Sequence, residues 1–268
     1  MLNLKVGTIT VYSTRGGNGK TITSVMIAIA AAKRNIKTVI IDADLEAPSL
    51  MHLLKPTKMD STWVDFLEET VDDVKVLPHK TQIPNLDVIY SPTPKVGKNF
   101  LGWKSKDWWQ QALKRSIDGE QRLHEAGYDL VIVDNQSGTS LNSVNNMVLA
   151  DTSVMIIRPA TYGLGAAEHF IGEMYRVLRD IKPRKDYYMW NQIFVPANDE
   201  DKNLLETFLQ KWDTNLEKHG LINGGRIDFN TKLNLGLLGE DPQLEEFFIE
   251  VADPINSILD KILSDKLD

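Results

Sequence analysis

The sequence predicts an α/β protein: a mainly parallel sheet, doubly wound, flanked by helices on both faces. Three observations point there. Short apolar, β-branched runs recur along the chain, helical patterns separate them, and the first run passes through a glycine-rich turn directly into a helix. Of the 268 residues, 42% are hydrophobic and 25% charged, an ordinary globular balance with no apolar stretch long enough to span a bilayer. No Pro/Gly/Ser-rich linker divides the chain, so one domain over residues 1–268 is expected.

The runs Val6–Tyr12, Thr38–Ile41, Leu86–Tyr90, Leu130–Val133, Val154–Ile157 and Tyr187–Val195 read as buried strands, being apolar and bounded by polar residues. Helical patterns lie between them at Lys20–Arg34, Trp63–Glu69, Asp107–Ala126, Leu141–Leu149 and Ala166–Ile181. This alternation implies parallel strands covered on both faces, with ligands at the strands' carboxyl ends. A last helix is expected to open with Asp253 as N-cap and Pro254 at its first position and to run to about Leu267. Its stripe of Ile255, Ile258, Leu259, Ile262 and Leu263 has the spacing of a helix docked on the core.

Composition removes several chemistries. Without cysteine there is no disulfide, no thiolate metal site and no cysteine-ligated iron–sulfur cluster. The five histidines, His52, His79, His124, His169 and His219, lack metal-ligand spacing and read as surface or packed residues. A net charge of −7 disfavours a chain coated with nucleic acid but leaves room for one basic patch. Met1–Lys5 lacks a signal-peptide pattern, and a cytoplasmic protein is expected.

The chemistry-bearing segment follows the first strand. Ser13-Thr14-Arg15-Gly16-Gly17-Asn18-Gly19-Lys20-Thr21 leads into an Ala-rich helix, the order in which backbone N–H groups and a helix N-terminus cradle phosphates. Lys20 is placed to reach β- and γ-phosphates, and the Thr21 hydroxyl to ligate Mg²⁺. A glycine turn that merely caps a helix is the plainer alternative. Two carboxylates, Asp42 and Asp44, end the second strand beside this loop, where a metal and a nucleophilic water would sit, although such a pair also serves as a turn with capping oxygens. Tyr128-Asp129-Leu130-Val131-Ile132-Val133-Asp134 is a buried strand with an aspartate emerging at its tip.

An ordinary phosphate-loop signature requires glycine five residues before Gly19, where this chain has Thr14. The segment instead resembles the deviant Walker A motif of the ParA/MinD family of P-loop NTPases, Lys-Gly-Gly-x-Gly-Lys-Thr/Ser. Gly16, Gly17, Gly19, Lys20 and Thr21 fit it, and the family's signature lysine falls on Arg15. The resemblance covers roughly residues 5–195. It implies ATP and Mg²⁺ as cofactors, with Asn18 and Thr23 joining the loop around the nucleotide. It further implies that Asp42 and Asp134 hold the metal with Thr21, that Asp44 orients or deprotonates the attacking water, and that Arg15 crosses a dimer interface. Tyr187-Tyr188-Met189-Trp190-Asn191 resembles the family strand whose terminal asparagine reads adenine, which makes Asn191 the adenine candidate, an asparagine that ends a strand for turn reasons being the alternative. Where the family continues from its Walker B aspartate with Thr-Pro-Pro or Ser-Pro-Ala, this chain has Asn135-Gln136-Ser137-Gly138.

Four functions fit. In a ParA-like positioning ATPase, an ATP-bound homodimer holds non-specific DNA until a small adaptor or DNA-binding partner protein stimulates hydrolysis. Its operator-binding extension is not expected here, because the loop strand lies within the first residues. A MinD-like membrane switch needs a basic amphipathic end, whereas Leu259–Asp268 mixes charges. A kinase of small carboxylates resembling dethiobiotin synthetase, and a nucleotide-binding scaffold without hydrolysis, complete the set. Two basic stretches are candidates for phosphate contact. One is Lys95, Lys98, Lys104, Lys106, Lys114 and Arg115, interleaved with Phe100, Trp103, Trp108 and Trp109; the other is Arg176, Arg179, Lys182, Arg184 and Lys185. Solvated helix faces and helix-terminal cations are the structural alternative.

Overall fold

The computed structural model describes residues 6–56, 58–92, 104–239 and 242–265. In chain order the elements are β1 (Gly7–Tyr12), α1 (Lys20–Lys33), β2 (Thr38–Ala43), α2 (Leu50–Leu53), α3 (Trp63–Leu67), β3 (His79–Lys80), β4 (Leu86–Ile89), α4 (Lys106–Glu125) and β5 (Leu130–Asn135). They continue as α5 (Leu141–Leu149), β6 (Thr152–Ile157), α6 (Thr161–Ile181), β7 (Asp186–Ile193), α7 (Asp199–Lys218), β8 (Leu221–Asp228), α8 (Thr231–Gly236) and α9 (Leu244–Ser264). The strands form one sheet in the order β3-β4-β2-β5-β1-β6-β7-β8. Every pairing is parallel except β3 with β4.

Successive side chains on a strand point to opposite faces, and the chain uses that period to cover both. Ile9, Val11, Ile40, Leu130, Ile132, Val154 and Ile156 turn to one face and pack under α1 and α9. Val39, Ile41, Val131 and Val133 turn to the other, against Trp63, Phe66, Trp109 and Leu123 of α3 and α4. Further along that face Met155, Ile157, Tyr188 and Trp190 meet Tyr175 and Leu178 of α6 and Leu209, Trp212 and Leu216 of α7. Helix α1 is apolar all round because it is covered all round: every residue from Val25 to Ala32 is buried.

The doubly wound parallel architecture expected from the sequence is present, with α6 opening at Thr161 instead of Ala166 and three further differences. The last helix begins at Leu244, so Asp253 is no N-cap and Pro254 lies in the helix interior. Leu244, Phe247, Phe248 and Val251 are buried in phase with Ile255, Ile258, Leu259 and Ile262. Burying four large apolar side chains at about 1.5–3 kcal/mol each exceeds the roughly 3 kcal/mol that an interior proline costs. The expected end at Leu267 lies outside the described residues. Second, β2 and β5 run on to Ala43 and Asn135, which places Asp42 and Asp134 inside strands rather than beyond them. Third, β3, β8, α2, α7 and α8 stand outside the elements expected from the sequence. In β8 the run Asn223-Gly224-Gly225 breaks the apolar pattern, and the register against β7 shifts there, with Gly225 at φ 115° where an L side chain would be strained.

The chain moves from β1 outward to β2 on one side and crosses from β5 to β6 on the other, so β1 marks the reversal of strand order. Its carboxyl end opens the crevice in which such sheets bind ligands.

Candidate active site

β1 delivers the chain into the glycine loop, and Gly17 and Gly19 turn it with φ of 78° and 87°. Gly19 caps α1 without a side chain. Its φ of 87° favours glycine, and a Cβ built on it would stand 2.3 Å from Asn191 Nδ2, so a side chain there would displace that amide. Asn191 reaches the loop from the tip of β7: its Nδ2 donates to the Asn18 carbonyl at 2.8 Å, and its Oδ1 accepts from the Gln192 amide at 2.9 Å. Asn18 is held by its own amide on the Ile156 carbonyl, 3.2 Å. Thr23 and Asn191, far apart in sequence, line one pocket with Gly19, Met26, Ile227, Asp228, Asn230 and Leu233. The last four belong to β8, α8 and the turn between them, which the apolar pattern of the sequence does not mark.

Lys20 is buried at the start of α1, its Nζ 4.0 Å from Asp44 Oδ2. The Ser49 hydroxyl donates to Thr21 Oγ1 at 3.2 Å, and the Ser49 and Leu50 amides both donate to Asp42 Oδ2 at 3.0 Å. Asp44 turns back, its Oδ1 accepting from the Ala47 amide at 3.0 Å. Asp42 and Asp134 are register partners on adjacent strands, and both are fully buried. The Ser24 hydroxyl donates to Asp134 Oδ1 at 2.9 Å, whereas Asp134 Oδ2 is buried with no hydrogen-bond partner among the described residues.

That juxtaposition perturbs both acids. Burial, reinforced by the charge of Asp134, pushes the Asp42 carboxyl up to about 8. Burial likewise lifts Asp134 to about 6, against the pull of Lys20 and of the nearby Thr21 and Ser24 hydroxyls. An orphaned carboxylate oxygen beside a hydroxyl and a second carboxyl, all oxygen donors, fits a small hard cation such as Mg²⁺. Among the described residues no three His, Cys, Asp or Glu cluster as a self-sufficient metal site, so phosphate oxygens and water would have to complete the shell.

Arg15 sits exposed on the rim of the loop, its carbonyl accepting from the Ser13 hydroxyl at 2.6 Å. The turn after β5 is anchored through Gly138, whose carbonyl accepts from Tyr12 at 2.9 Å and whose amide donates to Ser13 O at 3.0 Å. The basic stretches are largely committed elsewhere. Arg176 pairs with Glu173 and Asp180, Lys182 with Asp151, Lys185 with Asp265, and Arg184 is buried against Asp186. In the other stretch Lys104 pairs with Glu68 and Arg115 with Glu69 and Asp72, while Lys95, Lys98, Phe100 and Trp103 lie outside the described residues. No helix among the described residues is long and apolar enough to cross a membrane.

A glycine loop that carries the central strand into a buried helix, beside acidic strand tips, defines the P-loop class. A family model described as an AAA domain matches residues 6–185. The chain belongs to that AAA-domain family, and its fold is that of the MinD- and ParA-like ATPases. An uncharacterized ATP-binding protein of Methanocaldococcus jannaschii is 32% identical over 140 residues, 51% of this chain and 46% of that protein. The chain spans about half the length of the curated relatives it matches, 46%, 54% and 52%. Among solved structures, McdA of Cyanothece in complex with ATP superposes with a TM-score of 0.75 at 15% identity, covering 97% of both chains. MinD of Pyrococcus horikoshii complexed with Mg-ADP gives 0.69 at 15% identity, covering 96% of this chain and 95% of that one. At such identities the likeness is one of fold.

Proposed function

We propose that this chain is a cytoplasmic Mg·ATP-dependent ATPase, folded as one domain, that pairs with a second copy when ATP is bound and so positions a cargo. The observation that carries this reading is the pair of buried carboxyls, Asp42 and Asp134, beside Thr21, with one oxygen that has no hydrogen-bond partner among the described residues. Matches to proteins described as binding ATP or Mg-ADP support it.

In this reading the N–H groups of Gly16, Gly17, Asn18 and Gly19 cradle the phosphates, and Lys20 leaves Asp44 to meet the β/γ oxygens. Thr21, Asp42 and Asp134 hold Mg²⁺, which when bound neutralises phosphate charge. Asp44, freed from Lys20, orients the attacking water and accepts its proton. Asn191 exchanges its bond to the Asn18 carbonyl for the base edge, using donor and acceptor of one amide, with Thr23 beside it. Arg15, exposed on the rim, reaches the partner copy's phosphates, a role its planar fork suits. Arg176, Lys182 and Lys185 are each paired with a carboxylate, so a phosphate or a partner's carboxylate that binds there exchanges a solvent-accessible ion pair of little net worth; non-specific DNA and a small protein adaptor are the proposed partners.

Isothermal titration of Mg·ATP into the wild type and Lys20→Ala tests the site; the variant is expected to bind about 10- to 100-fold more weakly, the worth of a charge-assisted bond. Unchanged affinity would overturn the assignment. Asp44→Ala should bind Mg·ATP normally, accumulate dimer in light scattering, and release phosphate about 100-fold more slowly.

A further inference from the structure

Behind the acidic strand tips, one buried amide joins two segments of the site. Asn142 stands in the first turn of α5 and is 4% exposed. Its Nδ2 donates to the Ala43 carbonyl at 2.7 Å, across 99 positions of sequence, and to Gln136 Oε1 at 3.1 Å. Ala43 separates Asp42 from Asp44 and is the last residue of β2. Gln136 is itself buried and begins the turn that follows β5.

An amide nitrogen carries two hydrogens, and Asn142 spends one on each segment. The turn is fastened to α5 by further bonds. Asn146 Nδ2 donates to Asn135 Oδ1 at 2.9 Å, Asn135 Nδ2 to Ser143 O at 3.0 Å, and the Ser143 hydroxyl lies 3.1 and 2.9 Å from the Gln136 and Gly138 carbonyls. Whatever moves the turn therefore moves α5, and through Asn142 it pulls on the carbonyl between the two site aspartates. Breaking either Asn142 bond leaves a buried acceptor or donor unanswered, so the segments shift together more readily than apart.

We infer that Asn142 is a positioning residue: its amide couples the Asp42-Ala43-Asp44 strand tip to the Asn135–Gly138 turn, and thereby sets Asp44 for hydrolysis. The hydrolytic half of this inference rests on the ATPase reading above; the mechanical half does not.

The test uses the full chain with Asn142→Asp, which keeps the shape but turns an oxygen toward both acceptors, and Asn142→Leu, which removes the donor. Gln136→Met, which removes only the turn-side acceptor, serves if both Asn142 variants fold poorly. At saturating Mg·ATP, phosphate release should fall about tenfold or more while the dissociation constant for Mg·ATP stays within about twofold, the split expected when alignment is lost but binding is not. In nucleotide-free protein, amide hydrogen exchange should quicken across residues 42–50 as well as 135–140. Phosphate release within about twofold of a hydrolysing wild type would overturn the catalytic half. Exchange changes confined to 135–150 would overturn the coupling. If the wild type itself releases no phosphate, the ATPase reading and the catalytic half fall together, and the exchange pattern still decides the coupling.

Discussion

The two ends of the central sheet both bury charge, and they do so in opposite ways. At the amino ends, Arg184 and Asp186 are 1% and 0% exposed and 2.7 Å apart. The guanidinium also donates to the Met147 and Ala150 carbonyls, and Asp186 also accepts from the Ser153 amide and hydroxyl. Nearby, burial alone would raise Glu120, but hydrogen bonds from His124 and Thr8 outweigh it and hold its carboxyl below the usual range. At the carboxyl ends, Asp42 and Asp134 are like charges on neighbouring strands, one oxygen has no partner among the described residues, and both acids are raised. The Arg184–Asp186 pair at the amino end is answered from within the chain and holds the scaffold; the Asp42–Asp134 pair at the carboxyl end is left to be answered from outside it.

Asp186→Ala attacks the answered end. It strands a buried guanidinium and is expected to cost about 3–5 kcal/mol in urea unfolding. A loss under about 1 kcal/mol would erase the contrast.

The carboxyl end should respond with the opposite sign. Asp42 and Asp134 have folded pKa values above those of free carboxyls, so the folded protein retains protons that the unfolded chain releases. Without divalent cations, stability is thus fully present below the unfolded value near 4 and is lost as pH rises through about 6 and then about 8. Asp42→Asn, neutral at every pH, should flatten much of that slope and stabilise the protein at pH 8 by on the order of a few kcal/mol. Urea midpoints from pH 5 to 8 in chelator measure both, and a wild-type midpoint that climbs with pH would reverse the assignment.

The smallest expected effect on the isolated chain sits on the rim. Arg15→Ala should leave unfolding and Mg·ATP affinity within about twofold, as for an exposed charge, yet abolish ATP-dependent dimerisation in an Asp44→Ala background, with Arg15→Lys restoring much of it. Light scattering at saturating Mg·ATP decides. A dimer that forms equally well without Arg15 would mean that the rim takes no part in pairing.

What was legible in the sequence was what neighbours in sequence decide. β1, β2 and β5 show as apolar runs with acidic or glycine ends, and the loop from Ser13 to Thr21 shows by its residue order. The start of α9 is not legible because Asp253-Pro254 looks like a helix opening, while the burial that overrules it comes from Leu244, Phe247 and Phe248 packing under the sheet. β8 was hidden by Asn223-Gly224-Gly225, whose strand conformation depends on pairing with β7. The adjacency of Asp42 and Asp134 depends on strand order, which spacing does not encode. Nor could Asn142 be distinguished from any polar residue at a helix start, its partner lying 99 positions away.

Helix α1, walled in on every side from Val25 to Ala32, carries a consequence for motion. A cylinder wedged between the sheet and α9 cannot tilt or slide without opening voids that a close-packed interior penalises. The glycine loop is thus moored to a fixed post, and main-chain movement on binding an occupant falls to the strand-tip turns around Asp44 and Ser137, with the start of α5 bonded to the second of them, and not to α1. The same confinement leaves Ala28 and Ala31 no room to grow, and a leucine at either would be expelled at a cost of about 1–3 kcal/mol. Reporter groups meant to watch the site switch belong on those turns and not on the helix that anchors them.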